Sequence, residues 1–399
     1  MTEEWLFACL KGLGTFFLHP VFYFSIILSI IMGYLRIKRE RSDFHVRVHD
    51  MLQELRSLLP LGIVWGLILS LVTLGAGLVI PFASLLLIGL LSLILSVTMQ
   101  FRLLSPAYNF GLAFFIIFLF FFYGRDLQLP IFQETFASLD QPVYPALAVL
   151  LGLLLIAEGS LISRSGQKKA SPKLLISKRG FTVGAYVSKR LWLIPMFILV
   201  PGGSLPAPFE WWPVFSAGSI HVSPLFVPFL LGFSLEVKGE LPKRAIAAYG
   251  RKVTILGIVV TAISIVGNWY PALTVTAVVL AMLVRELIAY FSKGNDKQMP
   301  LYFSRSNLGV RILGIIPQSP AEKMGLEMGE IVTKVNGVIV RDDREFYEAL
   351  QVNRAYCKLE VIGNNSQIRF TQRALFEGEH HELGILFVEG TKMSKGRVV

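Results

Sequence analysis

SPAEKMGLEMGEIVTKVNG, residues 319–337, decides the fold at one end of this chain. Ser319 carries the oxygen an N-cap needs, Pro320 suits the first helical position, and Glu322 completes a capping box. Gly325 supplies the left-handed residue that ends so short a helix. Gly329 permits a tight turn into a strand over residues 331–335, and Asn336-Gly337 is a hairpin turn. Downstream, Asp342 or Asp343 caps a second helix with Phe346 and Leu350 on one face at i, i+4. Residues 357–362 and 366–373 alternate and are joined by Gly363-Asn-Asn, a second hairpin. Upstream, Asn307-Leu-Gly-Val-Arg-Ile-Leu reads as a strand. The order strand, short helix, strand, hairpin, helix, hairpin predicts a small α+β domain over 300–389, a partly open β-barrel with two helices.

These motifs resemble the bacterial form of the PDZ family. The resemblance implies peptide binding by β-augmentation, in which a ligand segment adds a strand at a sheet edge. It places that strand beside residues 309–315, facing the second helix. The loop Asn307-Leu308-Gly309-Val310 would offer backbone N–H groups to a ligand carboxylate. Leu308, Val310 and Ile312 would line the last side-chain pocket, closed by Phe346, Ala349 and Leu350. For the apolar members plain core packing is the competing reading.

Everything before this domain is strongly apolar. The 399 residues are 54% hydrophobic and 16% charged, and the runs 61–80, 110–123 and 253–269 hold no charge at all. Such runs satisfy their backbone polar groups only as helices in a bilayer. The reading is a polytopic α-helical membrane domain over 1–292 with about 8–9 spans. A linker follows at 293–299, and a basic tail at 390–399. Residues 5–18 read either as an interfacial half-helix or as the front of a first span kinked at His19-Pro20. Residues 191–200 and 224–235 read as short spans, each broken by a proline. The opening Glu3-Glu4 lacks the basic region of a signal peptide.

Net charge is +11, and the excess sits between the apolar runs. Residues 164–190 hold eight Lys or Arg and no acid, 36–56 hold six, and 238–252 hold five. The positive-inside rule makes these three loops cytoplasmic and 125–144 and 202–223 external. The C-terminal domain then faces the cytoplasm. The basic loops read as contacts to anionic lipid, not nucleic acid. Trp211, Trp212 and Trp269 suit the outer interface.

Catalytic signatures are missing. Six histidines are present, and none forms His-Glu-x-x-His. His45 and His49 stand i, i+4 beside Asp50 without a third ligand, which favours a polar juxtamembrane helix face. His380-His381 reads as a solvated loop. No rhomboid pair, Walker loop or dinucleotide fingerprint occurs, so no metal and no cofactor is expected. Cys9 and Cys357 make no disulfide framework. Glu158, Glu236 and Arg285-Glu286 fall near span ends, where they can snorkel to the interface.

The segment WLFACLKGLGTFFLHPVFYFSIIL (residues 5–28), the multi-span body with basic inner loops and the single C-terminal PDZ together resemble the cell-division topology determinants of rod-shaped Gram-positive bacteria. That resemblance implies a non-enzymatic adaptor in division-site selection. It would be held at poles and septa by the coiled-coil protein DivIVA and would recruit the ATPase MinD with the inhibitor MinC. The FtsZ ring would then not assemble near poles. Two other classes compete: a pseudo-protease presenting clients through its PDZ, and a transporter with a regulatory PDZ. Polar localisation separates the first from the adaptor, and a polar path at mid-membrane would favour the second.

Overall fold

A computed structural model describes residues 2–123, 143–168, 170–205, 209, 212–215, 221–353, 355–376 and 383–388. The loop 125–144 expected to be external (nearly all of it), Trp211, His380-His381 and the tail 390–399 lie outside the described residues.

The body begins with helices α1 (Thr2–Leu18), α2 (Pro20–Phe44), α3 (Gln53–Leu58), α4 (Pro60–Ala76), α5 (Phe82–Val97), α6 (Pro106–Tyr123) and α7 (Val143–Leu161). Strands β1 (Ser171–Ile176), β2 (Thr182–Leu205) and β3 (Val222–Val237) follow, then α8 (Pro242–Val266) and α9 (Pro271–Gln298). Among the described residues, five helices are long and apolar enough to cross a membrane: Pro20–Phe44, Gln53–Ala76, Tyr144–Gly166, Pro242–Val266 and Pro271–Gln298. Phe82–Val97 and Pro106–Phe120 are shorter apolar helices. The expected eight or nine spans are thus not confirmed among the described residues.

Two of the missing spans are a β-hairpin, and the others are the shorter helices α5 and α6. Residues 191–200 and 224–235 are not spans but the arms of β2 and β3, paired antiparallel with each other, and β1 adds beside the start of β2 to make a three-stranded sheet. Their apolar side chains face inward on both sides, and Trp192, Leu193, Ile194, Met196 and Ile198 are buried. In an antiparallel ladder alternate residues turn N–H and C=O away from the partner strand. Phe197 N–H bonds outside the ladder, to Ser70 Oγ at 2.8 Å, and Phe197 stands opposite Phe226. Outward positions are therefore odd in β2 and even in β3. Pro195, Pro201, Pro224 and Pro228 all fall on them, so the N–H each proline lacks is one that would face out of the sheet.

The remaining edge groups are covered by helices with small faces. Along α4, a Cβ at Gly62 would overlap the Leu193 carbonyl oxygen, and one at Gly66 that of Pro195. Thr73 Oγ1 donates to Phe197 O at 2.9 Å, and Ile80 N–H to Leu199 O at 2.8 Å. On the other edge, Gly12 of α1 lies against the Pro224 carbonyl. Unsatisfied backbone is costly away from water, and this packing keeps the hairpin edges shielded.

A hairpin enters and leaves on one side, as two spans would, so replacing spans by strands leaves the order of ends unchanged. The turn after α2, the β1 sheet and residues 238–241 lie at one end, linked by Arg39 Nη2–Ser171 Oγ (2.7 Å) and by Glu236 with Lys173 (2.8 Å) and Lys238 (3.0 Å). At the other end Leu78 pairs with Phe215 and Val79 with Leu199. Trp212 is buried there and its indole N–H caps α4 at Leu74 O (2.9 Å), so it is no interface anchor. Trp269 is 68% exposed. The α1–α2 break at His19-Pro20 sits beside Gly89, midway along α5, with His19 Nδ1 accepting from Val21 N–H. This placement favours a kinked first span over an interfacial half-helix.

Glu158 and Arg285 do not snorkel. Both are fully buried and paired at 2.7 Å. Ser105 Oγ donates to the second Glu158 oxygen at 2.6 Å and accepts from Arg285 Nε at 3.1 Å, and Arg285 also reaches Tyr249 Oη. Four chain segments are thereby tied together. Glu236 and Glu286 remain partly exposed, as expected of interfacial groups.

The second unit comprises β4 (Val310–Ile315), α10 (Pro320–Lys323), β5 (Ile331–Val335), β6 (Val338–Ile339), α11 (Asp343–Gln351), β7 (Tyr356–Ile362), β8 (Ile368–Ala374) and β9 (Ile385–Phe387). The residues read as a linker, 293–298, are the end of α9. Ser319 Oγ caps α10 through Glu322 N–H (3.4 Å), and Gly325 takes φ +69°. Asn336 and Gly337 both take positive φ, as the hairpin turn requires. Asp342 accepts from Glu345 N–H and Glu345 from Arg341 N–H, each at 2.8 Å, and the two bonds fix the start of α11. Burial pushes the Cys357 thiol up to about 12, which leaves it unreactive at neutral pH.

The two units meet along β4. Val310 and Ile312 point into the small domain's own core, while Leu313 packs with Phe303, Tyr186 and Ala170 of the body contact. Tyr186 Oη donates to Leu313 O, and Gly184 N–H to Phe303 O at 2.8 Å. β4 is thus apolar on both faces because both are covered.

Candidate peptide groove

Strand addition requires an unpaired edge. The strand order is β8-β7-β5-β4-β9, so β4 lies between β5 and β9. β4 pairs with β5 at Val310–Arg311 and with β9 at Ile312–Ile315, so residues 309–315 offer no continuous free edge to the expected ligand strand. Ile312, Phe346 and Leu350 are fully buried, and Val310 and Ala349 nearly so, all in one core cluster. Gly309 packs against the Val332 carbonyl. Asn307 and Leu308 are exposed, Leu308 at 65%. The structure gathers five of the eight residues, Val310, Ile312, Phe346, Ala349 and Leu350, into the small domain's core.

Among the described residues the sheet path ends at β8 and at β9, and of these β9 lies beside α11. It pairs with β4 on one side, Ile385 opposite Ile315 and Phe387 opposite Ile312, and ends the sheet path on the other. A groove of about 150 Å³ runs along it, lined by Asp343 and Tyr347 of α11, by Gly384–Phe387 and by Ile316. Phe44 and Val46 of the body complete the lining. Phe346 stacks edge-on to Phe387 at 4.9 Å and holds strand and helix together from beneath.

The entry to β9 is tightly specified. Ala321 N–H donates to Leu383 O at 3.0 Å and Ile316 N–H to Gly384 O at 2.8 Å, which pins the loop to the SPAE turn. Gly384 has φ +77°, and a Cβ there would overlap Ser319. Gly384→Ala is therefore expected to destabilise the small domain by about 1–3 kcal/mol and to collapse the groove. Thermal unfolding of the purified variant checks this; an unchanged midpoint would contradict it.

Leu383-Gly384-Ile385 was the missed signal. It repeats the pattern Leu308-Gly309-Val310 that carried the expectation. The two tripeptides differ only in sheet position, one opening an interior strand and the other an edge strand.

His45 and His49 do not share a helix face, because α2 ends at Phe44 and His45 takes φ 59°.

These features define a many-helix membrane protein that carries a PDZ domain. The PDZ domain family profile matches residues 311–362. The cell division topological determinant MinJ of Bacillus subtilis (strain 168) is 43% identical over 391 residues, covering 98% of this chain and 97% of that protein. The probable cell division topological determinants MinJ of Lacticaseibacillus paracasei and of Lacticaseibacillus casei (strain BD-II) are each 26% identical over 380 residues, 93% of this chain and 96% of theirs. The chain belongs to the MinJ family of cell division topological determinants. Its relatives are named for a determinant and not for an enzyme, and a PDZ domain is a binding module without catalytic groups.

Proposed function

We propose that this protein is a membrane-anchored adaptor in division-site selection, linking polar and septal DivIVA to MinD, and so to MinC, against FtsZ ring assembly near poles. The observation that carries the reading is identity to the B. subtilis determinant along 98% of the chain, membrane body and PDZ alike. The small domain faces the cytoplasm, where the basic loops put it by the positive-inside rule. Its β9 groove takes an extended peptide from a division protein. Tethering raises the effective concentration of such a module, so modest peptide affinity suffices.

Anionic lipid is the second partner. Lys38, Arg41, Arg47, Lys243, Arg244 and Arg251 are exposed at the end of the body that carries the PDZ. Each such residue near the surface adds about 1 kcal/mol of attraction.

Live-cell imaging of a fluorescent fusion, with and without DivIVA, tests the proposal. Septal and polar signal that becomes uniform without DivIVA is the expected result. Uniform signal in both strains would overturn it.

A further inference from the structure

We infer that the groove is a composite site: Phe44 and Val46 of the membrane body form one wall and help select the ligand, an extended peptide with a large apolar side chain. The inference rests on the peptide-binding reading above.

The occupant follows from the lining. The edge of β9, unpaired among the described residues, calls for an extended chain, since a strand matches its row of N–H and C=O groups. A void of about 150 Å³ accepts a benzene-sized group. Around it stand Phe44, Val46, Ile385, Phe387 and Tyr347, with Asp343 the charged member. A single aromatic or branched aliphatic side chain fits this volume and chemistry.

The body's contribution is built to hold still. α2 stops at Phe44, where His45 takes a left-handed conformation and returns its N–H to Arg41 O at 3.0 Å. Beyond the turn, Val48 N–H donates to Glu40 Oε2 at 2.8 Å. Glu40 is fully buried and also receives Arg36 at 3.0 Å and Ser171 Oγ at 2.6 Å. Arg36 in turn bonds Glu54 at 2.7 Å. The segment between, with Phe44 and Val46, is fastened at both ends to α2, α3 and β1. On the PDZ side, the Leu313–Tyr186–Phe303 contact fixes the small domain against the same sheet. Both walls therefore belong to one packed arrangement, and a preorganised pocket binds with a smaller ordering cost.

The test uses the full chain in nanodiscs. Peptides selected on it from a random library displayed with free C-termini serve as probes, synthesised with a fluorophore and titrated by anisotropy. Val46→Asp and Phe44→Ala are each expected to weaken binding about tenfold or more, as loss of an apolar anchor does. Phe44 also touches the body contact, so Val46→Asp is the decisive variant, with thermal scans verifying that these two and Tyr347→Glu, whose position packs on Phe346 and Phe387, all fold. Tyr347→Glu closes the other wall and is expected to abolish binding. If Tyr347→Glu abolishes binding while Phe44→Ala and Val46→Asp leave it unchanged, the composite site is overturned and the peptide groove stands. If no peptide is enriched, or binding is indifferent to Tyr347→Glu, both readings fall.

Discussion

Arg285→Ala is expected to cost about 3–5 kcal/mol, because it strands the Glu158 carboxylate with no counter-charge in a fully buried site. Glu158→Ala should cost a similar amount for the converse reason. Ser105 and Tyr249 remain as partial partners, and neither can neutralise a full charge. Replacing both members with methionine removes the two charges at similar volume and should recover most of the loss, since apolar packing often equals a buried ion pair. Fluorescence-detected size-exclusion chromatography after heating, in detergent, reads all three. Single variants within about 0.5 kcal/mol of the parent, as at an ordinary surface site, would contradict the account.

Gly66→Leu is expected to be comparably severe. A side chain there must displace either α4 or the Pro195 carbonyl, and with it the cover over the outward edge of β2. Losses above about 4 kcal/mol belong to such cases, where overpacking and exposed backbone polar groups combine. Gly62→Leu faces the Leu193 carbonyl in the same way. Gly75 lies on the same helix with nothing near its Cβ position. Gly75→Leu should therefore change the melting temperature little. Equal effects at Gly66 and Gly75 would mean that α4 does not seal the hairpin.

The small domain was legible almost residue by residue because its signals are local. Caps, positive-φ glycines and hairpin turns act within four residues, and Ser319, Gly325, Asn336 and Asp342 all do what their chemistry predicts. The groove was not, because edge status is a property of the whole sheet. Leu308-Gly309 and Leu383-Gly384 are alike until the strand order is known. The hairpin was misread for another reason. Fully buried strands lose the polar–apolar alternation that marks a strand, so their apolar runs pass for short helices. Pro195, Pro224 and Pro228 were the surviving clue, since interior proline breaks a helix but is tolerated where a strand's N–H faces out of the ladder. Glu158 and Arg285 were read singly, and their pairing spans 127 residues.

The most direct test of the adaptor account is complementation of a deletion strain by full-length Tyr347→Glu, scoring minicells and filaments with membrane abundance held equal to the parent. Misplaced division despite normal abundance is the predicted result, because the groove is then filled by a charge while the body stays intact. Normal division with the groove blocked would contradict it and move the adaptor's contacts to the membrane body.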